Sequence, residues 1–350
     1  MLATPAFALH PDAKSEIENL KKRIEVLETE QSATEPGVDS GQIGKYLSLH
    51  GLLEAEAFYV KQDGGDEESD LSLATAELSI EATLNQNVGG HLTLLYEDGD
   101  SDAINVDEAV ISLNSARQFY GNSPSLHVGR MYLPFGMFNS YMISDPLSLE
   151  LGETRNTAAL LSLKGESWTL KTGVFNGDTD TDSDNNNIDS WVISLEVAAG
   201  ENLNLGVSYI SDLAESDNAL VQDAALYSSS VPGASAFLSA QCGQFGLEAE
   251  YLAALEDFDA ALVAVGEDLT GRRPEAWNLE LAWMPSDKLQ FAARYEQAKD
   301  FQNDVQRYGA TVSYGLYEHV IVALEYLRAD AKVALDDPVN TVTTQLALEF

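Results

Sequence analysis

The sequence predicts an all-β fold: an antiparallel transmembrane β-barrel of about sixteen strands, preceded by a short N-terminal coiled-coil helix. Three observations predict it. Apolar and polar residues alternate with a period of two from about Gly44 to Phe350, the connections between alternating segments are short at one end and long and acidic at the other, and aromatic residues gather near segment ends. No apolar run reaches the roughly 18 residues a transmembrane helix needs. A barrel strand needs only about 9–11 residues, with alternate ones apolar, so a membrane barrel stays open.

The elements follow in chain order. Ala6-Phe7-Ala8 has the small-x-small form of a signal-peptidase site, so residues 1–8 read as the end of an export signal that starts upstream. Ile17, Leu20, Ile24 and Leu27 fall at successive a and d positions, flanked by Glu16, Lys21, Arg23 and Glu28. Residues 15–31 therefore form an amphipathic helix of two heptads, too short to stand alone. It is expected in the periplasm, with homo-oligomerisation through residues 15–31 or a partner covering its stripe. Residues 32–43, rich in Ser, Gly, Thr and acidic residues and containing Pro36, form a linker.

The barrel occupies 44–350. Ala74, Ala76, Leu78, Ile80, Ala82 and Leu84 share one face against Thr75, Glu77, Ser79, Glu81 and Thr83 on the other; Trp277, Leu279, Leu281 and Trp283 oppose Asn278 and Glu280; Leu289, Phe291, Ala293 and Tyr295 oppose Gln290, Arg294 and Glu296. The strand segments are 45–60, 71–85, 89–98, 104–114, 124–133, 156–165, 167–176, 189–199, 202–212, 234–243, 245–255, 275–285, 287–298, 305–315, 318–329 and 340–350. Tight turns fall at Gly165-Glu166, Gly200-Glu201 and Gly243-Gln244 among others, and long acidic loops at 61–70, 134–155, 177–188, 213–233, 256–274 and 330–339. That alternation, with an even strand number, is the outer-membrane pattern, with turns to the periplasm and loops outward. Tyr59, Tyr96, Trp168, Trp191, Trp277, Trp283 and Tyr326 sit near strand ends on the apolar face, where an interfacial girdle facing lipid and lipopolysaccharide requires them. A soluble β-sandwich also alternates, but needs neither strands so uniformly long nor a girdle.

Charge narrows function. The chain carries 57 Asp plus Glu against 19 Lys plus Arg, a net charge of -38, which excludes nucleic acid as a partner. On the polar strand faces stand Glu54, Glu56, Glu77, Glu81, Glu108, Glu248, Glu250, Glu280 and Glu296, with Arg294 as a counter-charge. Lining a water-filled lumen, such carboxylates concentrate cations and oppose anions; a phosphate pore would need a basic ladder that this chain lacks. The 134–155 connection is too apolar for a solvated loop, because Phe135, Phe138, Met142, Ile143, Leu147, Leu149 and Leu151 need packing. Folded into the lumen, it would constrict the pore and turn Asp145, Glu150, Glu153 and Arg155 to the channel; folding over the rim or onto a neighbouring subunit is the alternative.

Other motifs are weaker. Asp178, Asp180, Asp182 and Asp184 alternate in an acidic loop as Ca²⁺ ligands can, but Ser183 and Asp189 stand where an EF-hand places Gly and Glu. A hydrated outer loop is the simpler reading. His50, His91 and His127 lie on separate strands without ligand spacing, and the single Cys242 excludes an internal disulfide and reads as a small apolar residue. No nucleophile elbow, Walker loop or HExxH occurs, so neither enzyme activity nor a cofactor is expected.

Residues 129–156 are the most distinctive: Gly129-Arg130-Met131-Tyr132-Leu133-Pro134-Phe135-Gly136-Met137-Phe138, then Met142-Ile143-Ser144-Asp145-Pro146-Leu147-Ser148-Leu149-Glu150-Leu151-Gly152-Glu153-Thr154-Arg155-Asn156. This segment resembles the LbtU-type siderophore porins, as do the coiled-coil prefix, the barrel and the chain length. The resemblance implies an outer-membrane porin for ferric siderophore uptake without an N-terminal plug; it assigns no ligand residues. The residues alone leave open a cation-leaning general diffusion porin passing small cationic solutes, or a barrel that anchors a periplasmic helix.

Overall fold

The computed structural model describes residues 44, 46–65, 67–99, 104–177, 179, 187–218, 220–221, 227, 229–258, 263–264, 267–268, 271–332 and 337–350. The expected signal end, coiled-coil helix and linker, and Asp178, Asp180, Asp182 and Asp184, lie outside the described residues.

Sixteen antiparallel strands close into one barrel. They are β1 (Leu47–Gln62), β2 (Glu67–Asn85), β3 (Val88–Glu97), β4 (Asn105–Asn114), β5 (Ser123–Tyr132), β6 (Arg155–Lys164), β7 (Trp168–Phe175), β8 (Ser190–Ala198), β9 (Leu203–Ile210), β10 (Gly233–Cys242), β11 (Phe245–Ala254), β12 (Glu275–Ser286), β13 (Leu289–Lys299), β14 (Val305–Tyr317), β15 (Val320–Ala331) and β16 (Val339–Glu349). Each pairs with its chain neighbours, and β1 pairs with β16 in a register that sets Leu53 opposite Leu348. Closure leaves no edge strand unpaired, as a bilayer demands.

The barrel is apolar outside and polar inside. Leu281 on β12 is 59% exposed while its neighbour Glu280 is 0% exposed, the reverse of a soluble sheet. On the outer face Trp191 stacks on Tyr209 at 4.8 Å and Trp283 on Phe291 at 5.5 Å, pairing girdle aromatics across neighbouring strands. The last residue closes the seam: Gly51 and Phe350 exchange backbone hydrogen bonds of 2.8 and 3.0 Å. A Cβ on Gly51 would lie 2.3 Å from the Phe350 ring, so only glycine leaves room for that side chain.

Two β-bulges adjust the expected faces. Glu54 pairs with Thr75 and Ala55 with Leu73, leaving Ala74 as the extra residue; Leu73 takes the outward position expected of Ala74. A second bulge, between Thr93 and Leu94, leaves Asp107 unpaired on β4 and turned into the wall, 3% exposed. The expected long loop at 61–70 is instead the tip of a hairpin. β1 and β2 run on to Gln62 and Glu67, tied by a 2.6 Å Lys61–Glu67 ion pair.

The 133–154 connection enters the barrel and carries α1 (Leu147–Gly152), begun at Pro146. Phe135, Leu147 and Leu151 join Phe175, Ile210, Leu213, Tyr227, Leu252, Phe258 and Phe301 in a cluster that fills the loop end of the lumen beside β7–β14. The remainder of the interior stays open.

Candidate functional site

The site is the space the constriction loop leaves, so the loop's anchoring comes first. After β5 the chain turns inward at Leu133-Pro134-Phe135-Gly136, and Leu133 N donates to Thr154 O at 2.8 Å, closing the loop at its base. Gly136 (φ 82°) and Phe138 (φ 55°) both take the left-handed region. At Gly136 this is cheap, and a Cβ there would also strike the Phe138 ring at 2.2 Å. The loop's irregular backbone leaves N–H groups without secondary-structure partners, and buried donors must find acceptors.

Carboxylates of the far wall supply them. Glu250 accepts from Met137 N and Phe138 N at 2.8 and 2.9 Å, Glu280 from Tyr141 N at 2.6 Å, and Glu296 from Leu147 N at 2.7 Å. Glu325 accepts from Ile143 N and Ser144 N, and Ser208 Oγ from Gly136 N at 3.0 Å. Arg294 works in the opposite sense. Its Nε donates to Glu280 at 2.7 Å, while its remaining nitrogens donate to Ser144 O at 2.7 Å, Asp145 O at 3.1 Å and the Ser140 hydroxyl at 2.6 Å. A guanidinium presents five N–H donors in a rigid fork, which suits it to gathering loop oxygens. Charge-assisted bonds of this kind are about twice as strong as neutral ones.

The expected site residues divide accordingly. Glu250, Glu280, Glu296 and Arg294 lie under the loop, each at most 7% exposed. Glu248 receives Ser239 Oγ at 2.8 Å and Asn139 Nδ2 at 3.3 Å. Glu150 is tied to Arg307 and Gln302 on the loop-end rim. Arg155 pairs with Asp107 and sits 5.6 Å over the Tyr132 ring. Asp145 is half-buried, and burial pushes its carboxyl up to about 6. Glu54 is buried beside Thr75, and Glu56 accepts from Gln345 at 2.9 Å.

Glu77, Glu81, Glu108 and Glu153 line open space. A cavity of about 950 Å³ lies between the loop and the wall of β1–β8 and β16, bordered on the loop side by Pro134, Met137, Phe138 and Glu153 and on the wall side by Glu77, Glu108, Glu196 and Glu349. A second, of about 410 Å³, continues past Glu81 towards the turn ends of β2 and β3. His50, His91 and His127 border both cavities, although the sequence shows them far apart. His127 is held between Ser112 Oγ (2.9 Å) and Ser125 Oγ (3.0 Å), and His91 Nε2 lies 3.5 Å from Glu108. Among the described residues no three His, Cys, Asp or Glu side chains are placed to hold one metal ion. Lys171, itself 2.9 Å from Glu196, is the one Lys or Arg among the described residues bordering the cavities. Burial pushes the Glu153 carboxyl up to about 7.

Sequence reasoning missed Glu325, Glu196, Glu349, Ser208 and Arg307. Period two marks each as inward-facing, but β15 reads Val-Ile-Val-Ala-Leu-Glu-Tyr-Leu, with aliphatic residues on both faces that mask Glu325.

No family model matches this chain. It is 25% identical over 245 residues to a UPF0422 protein of Coxiella burnetii, covering 66% of this chain and 51% of that one. It is 28% identical over 137 residues to a UPF0422 protein of Legionella pneumophila strain Paris, covering 37% of this chain and 26% of that one. The chain thus spans about half, or less, of the length of these curated relatives. Among solved structures it is similar to the outer-membrane channel DcaP of Acinetobacter baumannii (TM-score 0.63, 13% identity, 87% of this chain and 97% of that one). The anion-selective porin of Comamonas acidovorans gives TM-score 0.62 at 13% identity, over 87% of this chain and 99% of that one. The sixteen-stranded barrel of this chain is therefore similar in fold to these outer-membrane channels.

Proposed function

We propose that this protein is an outer-membrane diffusion channel that favours cationic solutes. One observation carries the reading: the cavities beside the constriction loop are bordered by Glu77, Glu81, Glu108, Glu153, Glu196 and Glu349 against the single ammonium of Lys171. Carboxylates facing a pore with low-dielectric walls raise local cation concentration. In this reading the tight turns face the periplasm, the long acidic loops face the medium, and the girdle contacts lipid and lipopolysaccharide.

The test is the reversal potential of single channels in a KCl gradient across a planar bilayer. A potential of the sign for K⁺ preference, shrinking when Glu77 and Glu196 are both changed to Gln, supports the reading. A neutral or Cl⁻-preferring channel overturns it.

A second reading, passage of a ferric siderophore, draws on the resemblance of residues 129–156 to LbtU-type siderophore porins. The lining gives it a constraint: acidic walls admit neutral or cationic ferric complexes and repel anionic ones. Block of the current by an added ferric siderophore, with loss of iron uptake on deletion, supports this reading; neither effect defeats it while leaving the first intact.

A further inference from the structure

The larger cavity combines charge with apolar surface. Glu77, Glu108, Glu196 and Glu349 border it from the wall, with Lys171 on Glu196 and Leu52 and Val110 between the acids, and Pro134, Met137 and Phe138 border it from the loop beside Glu153. These apolar residues are held there firmly. Met137 and Phe138 are fixed by their own backbone bonds to Glu250, and the Phe138 ring lies against Gly136 and Gly152. Hydrophilic cations need only the acidic side, and in water an apolar rail beside a pore is a cost. The volume of about 950 Å³ falls in the range of pockets that hold drug-sized molecules by apolar contact with a few convergent polar groups. Methionine adapts to varied apolar shapes, and an aromatic face attracts cations as well as hydrocarbon.

We propose that the open half of the lumen selects amphipathic organic cations, amines bearing a hydrocarbon or aromatic arm, over hydrophilic cations of equal charge. The ammonium runs along the Glu77–Glu196 wall while the arm lies on Met137 and Phe138. This rests on the cation-channel reading and adds a substrate class to it.

The experiment compares block of K⁺ current through the full chain in planar bilayers by phenethylammonium and by ethanolammonium, each singly charged. Phenethylammonium should block at roughly tenfold lower concentration, the ratio that about 1.4 kcal/mol of added apolar contact gives. Met137→Ser should collapse that ratio towards one, whereas Met137→Leu should keep it. Equal block by the two amines in the unmodified protein overturns the inference. The KCl reversal potential, recorded on the same channels, separates that failure from failure of the cation reading. A ratio that survives Met137→Ser also overturns it, since the arm would then lie elsewhere.

Discussion

The far wall from β9 to β15 and the near wall from β1 to β6 carry similar carboxylate ladders with different partners. On the far wall, Glu250, Glu280, Glu296 and Glu325 spend their charge on the backbone N–H groups of one loop, and Arg294 compensates them from within. On the near wall, Glu77 and Glu81 border the cavities, and Glu77 accepts a 2.9 Å bond from Ser79 Oγ two residues along its own strand. The far half has become a protein interior, with an apolar cluster over buried ion pairs. The near half borders the cavities, with Glu77 and Glu81 on its open face. The same residue type on the same face of equivalent strands is thus structural or electrostatic according to whether the loop covers it.

The largest way to break this comparison is at Arg294. Arg294→Met strands Glu280 as a buried charge, leaves Glu296 to Arg307 alone, and frees the loop oxygens of Ser144 and Asp145. Removing one partner of a buried pair costs about 3–5 kcal/mol. The loop should leave the wall, raising single-channel conductance and opening residues 133–154 to protease in folded barrels. Unchanged conductance and protection would mean that the apolar cluster alone holds the loop.

A matched pair sharpens the contrast at smaller magnitude. Glu250→Ala removes the acceptor for Met137 N and Phe138 N and leaves two half-buried donors unmet, at about 1 kcal/mol each, the low end for a lost buried partner. Glu77→Ala, on the water-facing wall, should cost less than about 0.5 kcal/mol, as substitutions away from buried features do. Urea unfolding in detergent should therefore separate the two variants, while ion selectivity should shift mainly in Glu77→Ala. Equal stabilities would erase the distinction between halves.

Much of this was legible beforehand, for a physical reason. A closed barrel imposes a strict period of two on every strand, so Leu279, Leu281 and Trp283 announce one face and Glu280 the other without any tertiary information. The loop's need to bury Phe135, Leu147 and Leu151 was legible from composition, and all three are at most 1% exposed. What the sequence hides is which wall receives the loop. Glu250 and Glu77 have the same local pattern, and only the loop's path across the lumen, turned at Gly136 and Phe138, decides between them. The grouping of His50, His91 and His127 was hidden similarly, because barrel curvature and register bring together strands whose sequence spacing carries no signal.

The smallest effect concerns the loop's own acid on the water side. Burial raises the Glu153 carboxyl to about 7, while it borders the larger cavity. With the folded value above the ordinary carboxylate range, the fold favours the neutral form. Its contribution to stability is therefore full at low pH and lost as the pH rises from the ordinary range to about 7. For the pore the sign reverses: the negative charge is present above about 7 and disappears as the pH falls through that value. The K⁺ over Cl⁻ permeability ratio should thus fall by a step near pH 7 on acidification. The step near 7 should be no more than about twofold, as fits one charge acting through water. Glu153→Gln should remove that step. A profile with the step near 7 intact in the variant would overturn its assignment to Glu153.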